Sequence, residues 1–147
     1  MADNHTLESR HVNMSHIHSK DAKPEEIVRK YLFSKRLRYR KNVSKMPGKP
    51  DIVFRKYKTV VFVNGCFWHH HNCDRFKCPT SNVEYWIPKI ERNVQRDIDN
   101  KKLLEANGWW VLVIWECELK KNGKRQISLR HCFLNQLINK HYLLKRD

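Results

Sequence analysis

The chain has 147 residues, of which 40% are hydrophobic, and this suits one globular domain with a single core. Its longest strongly apolar run, residues 109–115, is far shorter than the ~20 residues that a membrane span requires, and no apolar segment of the secretory type stands near the amino terminus. A formal net charge of +15 favours a polyanionic partner over a membrane, because no basic amphipathic anchor is evident, although a generally Lys-rich soluble protein is the simpler alternative.

The beginning of the chain predicts an arm followed by a helix. Residues 1–20 are polar, contain four of the nine histidines and show little periodicity, so we expect a flexible arm that orders on a partner. Residues 23–37 predict the helix. Pro24 suits its first turn, and Glu25 and Glu26 complement the positive end of its dipole.

Three strands are predicted next. Residues 38–43 form a short candidate strand, and a Pro- and Gly-containing segment then breaks the chain. Residues 51–54 and 59–63 follow as two strands joined by a polar turn. The second of these strands is apolar throughout, which places it at the centre of its sheet.

A long second helix is predicted after a loop rich in Cys, His and aromatic residues. Ser81 and Glu84 have the spacing of a capping box, and Asn107-Gly108 provides a stop. Pro88 disagrees with a start at Ser81, because a proline inside a helix costs ~3 kcal/mol. Either the helix kinks at Pro88 or its regular part begins near Ile87.

The remaining residues complete an α/β fold. Residues 109–117 predict a buried strand, residues 120–124 a turn and residues 127–144 a closing helix. The order α-β-β-β-α-β-α implies a mixed β-sheet flanked by helices, with residues 21–147 as one domain.

The cysteines indicate a metal site. Five cysteines without an export signal argue against a disulfide framework. Cys66, His71 and Cys73 lie within eight residues, and Cys117 at the end of the last strand could complete a tetrahedral Cys3His zinc site that braces the loop. Cys78 competes with Cys117 for the fourth position.

Asp51 is a candidate ligand for a catalytic metal. It enters a strand after a proline, where restriction-type nucleases place a carboxylate for Mg²⁺, an ion that prefers oxygen ligands. The acid and lysine that usually follow on the next strand are absent from residues 59–64. On these residues alone, Asp51 could equally be a turn residue or a strand cap.

Aromatic and basic residues are interleaved around the same loop. Phe67, Trp68 and Trp86 suit stacking on bases, worth ~1–3 kcal/mol per base, or wedging between base steps. The alternative is that Phe67 and Trp86 pack in the core under the loop. The cations that flank them are Lys77, Lys89, Arg92 and Arg96.

The chain resembles the very short patch repair (Vsr) endonucleases. The resemblance runs from about residue 13 to Cys117 and is carried by "MPGKPDIVF", "VFVNGCFWHHHNC", "NVEYWIPKIERNVQRD" and "GWWVLVIWEC". It implies a restriction-endonuclease-like fold without the usual acid and lysine. It also implies recognition of a T:G mismatch, left when 5-methylcytosine deaminates, and hydrolysis of the phosphodiester bond 5′ to the thymine.

The resemblance assigns the catalytic chemistry residue by residue. Asp51 would hold Mg²⁺ together with the main-chain carbonyl of Val63. His69 would act as general base on the attacking water, since imidazole is suited to that role near neutral pH. Glu25 and Asp97 would orient metal-bound water or the histidine.

The resemblance also assigns the structural metal and the DNA contacts. Its zinc ligands are Cys66, His71, Cys73 and Cys117, the same set that the residues themselves indicate. Phe67, Trp68 and Trp86 would intercalate from the major groove, and Met14 with its arm would press from the minor groove. Lys89 and Asn93 would contact the mismatched pair.

The sequence departs from the family at Val63-Asn64, where members carry a Thr-His pair or an acidic second residue. Losing the threonine is harmless if only its carbonyl binds metal. Asn64 matters more, because an amide can bind metal or donate a hydrogen bond but cannot act as an acid near pH 7.

The resulting expectation is a monomeric, cytoplasmic, nucleoid-associated bacterial nicking endonuclease that meets mismatch-repair proteins. One alternative is a mismatch-binding module whose catalysis is weakened at Asn64, which the presence of Asp51, His69 and Glu25 argues against. Another is a restriction-like enzyme on matched duplex. The wedging aromatics argue against that reading, since unstacking is least costly at a weak pair.

Overall fold

A computed structural model of the chain describes residues 23–121 and 124–125. The predicted arm, with Met14, and the predicted closing helix at 127–144 lie outside the described residues. Within the described part, neither helix combines the length and the apolar character needed to cross a membrane.

Helix α1 spans Lys23–Ser34 and covers one face of the sheet. Its buried side chains, Glu25, Val28 and Leu32, recur at the three- and four-residue spacing that places them on one side of a helix. The helix ends three residues earlier than predicted. Arg36 takes a left-handed backbone conformation with φ 59°, which turns the chain toward the first strand.

The sheet contains four strands in the order β1-β2-β3-β4. The strands are β1 (Arg40–Lys41), β2 (Ile52–Phe54), β3 (Thr59–Asn64) and β4 (Trp110–Trp115). The first three form an antiparallel meander, and β4 pairs parallel to β3. The predicted mixed sheet and the central position of the third strand are confirmed.

Helix α2, Val83–Ala106, makes the crossover between the two parallel strands. The predicted capping box does not form, because Asn82 holds the N-cap position, with φ 50° and no side-chain capping bond. The alternative start near Ile87 is also wrong, since Pro88 lies inside the helix, five residues after its first residue. The predicted stop is confirmed at Asn107 and at Gly108, which has φ 80°.

The last predicted strand is shorter and less buried than expected. It ends at Trp115, because Glu116–Leu119 turn into a 3-10 helix in which the Glu118 carboxylate accepts a hydrogen bond from the Trp115 N–H (2.8 Å). Cys117 therefore lies on that helix rather than on the strand. Two short antiparallel strands, β5 (Lys120–Lys121) and β6 (Lys124–Arg125), occupy the two ends of the turn predicted at residues 120–124.

Apolar side chains pack on both faces of the sheet. Alternate residues of β2 and β3 point to opposite sides, so Phe54 and Val61 join α1 while Val53 and Val60 meet Leu104 of α2. The sheet therefore lies between the two helices, and the ends of its strands are not covered by this packing. The buried residues on the α1 side are Val28, Leu32, Leu37, Ile52, Phe54, Val61, Leu112, Ile114 and Leu119.

Adjacent residues of α1 test this packing. Leu32 is fully buried and Phe33 is 75% exposed. Leu32→Ala should lower the free energy of unfolding by about 2–5 kcal/mol through lost burial and the cavity left behind, whereas Phe33→Ala should change it by less than about 0.5 kcal/mol. Urea denaturation measures both. Equal losses in the two variants would contradict the orientation of α1.

Candidate active site and metal centre

The site forms where the two parallel strands end. Asn64, the last residue of β3, pairs with Trp115, the last residue of β4. Strand β2 runs antiparallel to β3, so Asp51 immediately before it lies at the same end of the sheet. The Val63 N–H donates to Asp51 Oδ2 at 2.7 Å, which fixes the carboxyl group beside the last residues of β3.

Two carboxyl groups meet at this position. Asp51 hydrogen-bonds through its side chain to Glu25, which the first turn of α1 buries to 6% exposure. Burial raises the pKa of Asp51. The hydrogen bonds with Val63 and Glu25 and the charges of His69 and Arg29 lower it, but the effect of burial is larger. Arg29 lies 3.4 Å from the Glu25 carboxylate. A pair of desolvated carboxyl groups is a donor set that suits a hard divalent cation.

His69 is oriented by a carboxylate from the crossover helix. Its Nδ1 hydrogen-bonds to Asp97 Oδ2. Because that bond occupies Nδ1, the other ring nitrogen, Nε2, is the one available to exchange a proton with a bound molecule. Both side chains are partly exposed, so the pair is accessible from solvent.

One cleft contains every residue predicted for catalysis. Its volume is about 970 Å³, and cations from two segments also line it: Lys49 ahead of β2, and Lys89 and Arg96 on α2. Such a cleft, which combines carboxyl groups with cations, can hold a phosphate backbone beside oxygen ligands that suit a divalent cation. The predicted catalytic residues in its wall are Glu25, Asp51, Val63, Asn64, His69 and Asp97.

Cys66, His71, Cys73 and Cys117 form a compact group of potential metal ligands. Their ligand atoms all lie within 4.8 Å of one another. His71 Nδ1 is 3.8 Å from Cys66 Sγ and 3.4 Å from Cys117 Sγ. A tetrahedron built on Zn–S and Zn–N bonds of about 2.3 and 2.0 Å has edges of roughly 3.5–3.8 Å, so the residues fit that ion. Cys78 is exposed and is not part of this group.

The thiols of the group affect one another's protonation. Burial, together with the neighbouring Cys66 and Cys73, raises the pKa of Cys117 to about 12. Burial also raises the pKa of Cys66. Crowded thiols resist becoming three adjacent thiolates, and a bound dication is what makes that state favourable.

The backbone between the ligands is tightly turned. The His71 N–H donates to the Cys66 carbonyl at 3.0 Å, and the Cys73 N–H donates to the His71 carbonyl at 2.9 Å. His70 adopts a left-handed conformation with φ 49°. These turns direct His71 toward the thiols while His69, two residues earlier, reaches the cleft.

The predicted aromatic wedge is a cluster of three mutually contacting rings. Phe67, Trp68 and Trp86 have ring centroids 5.3–5.6 Å apart. Lys89 Nζ lies 5.5 Å from the Trp68 ring centroid and 5.4 Å from that of Trp86. The rings are partly exposed and belong to neither core cluster, which disagrees with the alternative of core packing.

Asn93 has a structural contact that the sequence did not reveal. Its Nδ2 donates to the main-chain carbonyl of Trp68 at 3.1 Å, and Arg96 donates to its Oδ1 at 2.6 Å. Helix α2 is thereby tied to the loop that carries the aromatic cluster. Arg29, beside Glu25, was also missed, because the four-residue spacing that joins them is common to many surface ion pairs.

Comparison with known proteins agrees with this geometry. Residues 2–75 match the family described as DNA mismatch endonuclease Vsr. The Type II nicking enzyme V.NmeAIP of Neisseria meningitidis serogroup A is 52% identical over 123 residues, covering 84% of this chain and 88% of that protein. The DNA mismatch endonuclease Vsr of Escherichia coli is 40% identical over 124 residues, covering 84% and 80%. The Type II nicking enzyme V.XorIIP of Xanthomonas oryzae is 43% identical over 131 residues, covering 89% and 96%.

The fold and the relatives define an endonuclease of the restriction-endonuclease-like class. The chain belongs to the Vsr family of DNA mismatch endonucleases.

The raised pKa of Asp51 predicts a pH-dependent cost to stability. A carboxyl group whose pKa is higher in the folded state binds its proton more tightly there, so stability falls as pH rises from the ordinary value near 3.8 through the folded value. Asp51→Asn does not titrate and keeps an acceptor for the Val63 N–H. The variant should therefore gain melting temperature relative to wild type between pH 4 and pH 7, in Mg²⁺-free buffer.

The control is Asp99→Asn, an exposed position on α2. Its melting temperature should follow wild type at every pH. A constant difference between Asp51→Asn and wild type across the same range would disprove the raised pKa.

Proposed function

We propose that the protein is a Mg²⁺-dependent nicking endonuclease that recognises T:G mismatches in double-stranded DNA and cuts 5′ to the thymine. The observation that carries the proposal is the meeting of the Asp51–Glu25 pair and the His69–Asp97 pair in one cleft that three cations also line. The named activity of the Escherichia coli relative supports it as well.

Asp51 and the Val63 carbonyl would hold the Mg²⁺ ion, with Glu25 ordering the water around it. When bound, the ion supplies charge stabilisation at the phosphate and acidifies bound water. The residues themselves supply orientation. Asp51 is fixed by the Val63 N–H, and Arg29 keeps Glu25 in place.

His69 would take the proton of the attacking water at Nε2. Asp97 accepts the Nδ1 proton, which selects the tautomer with a free lone pair on Nε2 and stabilises the imidazolium that forms. The water oxygen forms a bond to phosphorus and the P–O3′ bond breaks, leaving a 5′-phosphate and a 3′-oxygen. The buried Asn64 can donate a hydrogen bond to the 3′-oxygen. The proton that this oxygen takes up must come from solvent, because an amide does not act as an acid near pH 7.

The cluster of Phe67, Trp68 and Trp86 would enter the base stack from the major groove beside the mismatch. Separating a base step costs a few kcal/mol, least where the pair is already weak, so the wedge itself favours a mismatch over a matched pair. Lys89 and Asn93 would contact the mismatched pair, and Met14 would act from the minor groove. A monomer is sufficient, because one chain carries the whole cleft.

Zinc is the ion that we assign to the Cys66–His71–Cys73–Cys117 group. Purified protein should contain one zinc per chain by elemental analysis, and Cys73→Ser should lose it, since one of the four ligands is removed. Cys78→Ser is the matched control and should retain the metal, because this thiol lies outside the group. Zinc-free wild type, or an equal loss in Cys78→Ser, would disprove the assignment.

The activity test is a nicking assay with Mg²⁺ on a duplex that contains one T:G mismatch, beside the matched duplex. A nick 5′ to the thymine should appear in the mismatched duplex alone. Asp51→Asn should lower the rate at least ~100-fold, since a catalytic metal contributes several kcal/mol, while Asp99→Asn should nick like wild type.

Two other outcomes would separate the alternatives. Mismatch-selective binding without a nick in several sequence contexts would point to a binding module that lost its chemistry at Asn64. Cleavage of the matched duplex would point to a restriction-like enzyme.

A further inference from the structure

Trp115 links the metal-ligand group to the catalytic pair. Its ring lies parallel to that of His71, with centroids 4.1 Å apart and an interplanar angle of 1°. The same ring makes an edge contact with His69, with centroids 6.4 Å apart at 67°. One indole therefore touches both a potential metal ligand and the proposed general base.

The backbone fixes this indole on both sides. Trp115 pairs in register with Asn64, the residue that precedes the loop. The main-chain N–H of Trp115 donates to the Glu118 carboxylate on the 3-10 helix. Cys117, two residues later, belongs to the metal-ligand group. The segment that carries the ring is therefore held by a strand pair and by a main-chain hydrogen bond.

The space next to this contact is not filled by tight packing. His69, Asp97 and Trp115 share the wall of a largely apolar cavity of about 210 Å³ between α2 and the sheet. A ring that borders such a cavity can tilt toward it unless another group holds it. Asp97 contacts His69 at one atom, Nδ1. This hydrogen bond fixes the position of Nδ1, but the imidazole ring can still rotate about it.

We infer that Trp115 is a positioning residue, which holds the plane of the His69 ring and connects it to the rigid metal-ligand group through His71. Parallel stacking fixes the plane of His71 while leaving its Nδ1 edge free to face the thiols, so the two contacts do not compete. The inference rests on the proposed function, because it concerns how the general base is oriented.

The experiment compares Trp115→Leu, Trp115→Phe and the control Trp110→Leu in full-length, zinc-loaded protein. Trp110 lies at the other end of the same strand and is 49% exposed. Single-turnover nicking at saturating mismatched DNA should slow ~10–100-fold in Trp115→Leu, the range typical of residues that support a metal site. The affinity for the duplex and the zinc content should stay within twofold of wild type. Trp115→Phe should recover most of the rate, and Trp110→Leu should equal wild type.

A second measurement does not depend on nicking. Imidazole ¹H–¹⁵N NMR spectra, with His69 assigned through His69→Asn, should show one sharp set of His69 signals in wild type and in Trp110→Leu. The His69 signals should be broadened or doubled in Trp115→Leu, and to a smaller extent in Trp115→Phe. If Trp115→Leu does not fold, the comparison of Trp115→Phe with wild type provides the test.

The outcomes separate the two claims. Wild type that binds but does not nick would refute the proposed function, and the NMR comparison would still decide the inference. Unchanged His69 signals in Trp115→Leu, an unchanged rate, or a rate loss that follows zinc loss in proportion would each overturn the positioning role.

Discussion

The parallel pairing of β3 with β4 is the constraint on which the rest of the site depends. It aligns the two strand ends, so that Asn64 and Trp115 stand side by side and the segments that follow each of them must share the same space. The loop after β3 brings Cys66, His69 and His71, and the 3-10 helix after β4 brings Cys117. Because a parallel pair requires a crossover, helix α2 is also placed over this end of the sheet, where it delivers Asp97.

The site combines groups that oppose folding with groups that compensate for them. The buried Asp51 carboxyl group and the thiols of Cys66 and Cys117 are unfavourable in their charged states, because burial raises the pKa of each. Hydrogen bonds from Val63 and the guanidinium of Arg29 offset part of that penalty. A bound divalent cation would offset the remainder, which agrees with the metals that we propose for the site.

The sequence predicted the sheet, and the residues that the structure brings together at its end, better than it predicted the boundaries of the helices and strands. Strand β3 was identified because a short run that is apolar throughout is typical of a strand at the centre of a sheet. The spacing of the Cys and His residues pointed to the ligand group that the structure brings together. The capping box at Ser81 was wrong, since local spacing did not show that Asn82, in a left-handed conformation, takes the N-cap position. The choice between Cys78 and Cys117 required the three-dimensional register of β3 and β4.

The contacts of Trp115 and Asn93 lay beyond sequence reasoning for the same reason. Trp115 reads as one more apolar residue in a strand, and only the fold shows that its ring faces two histidines. Asn93 was predicted from resemblance as a DNA contact. Its hydrogen bond to the Trp68 carbonyl joins residues 25 positions apart, a separation that no local pattern encodes.

The separation of the metal ligands along the chain also has a consequence for biosynthesis. Cys66, His71 and Cys73 are close together, but Cys117 follows 44 residues after Cys73 (117 − 73), beyond the whole of α2 and β4. On the ribosome, the loop that carries His69 is therefore complete long before its fourth ligand has emerged. A nascent chain that ends before Cys117 has three of the four residues of the ligand group, so we expect the group to assemble only after β4 has been synthesised.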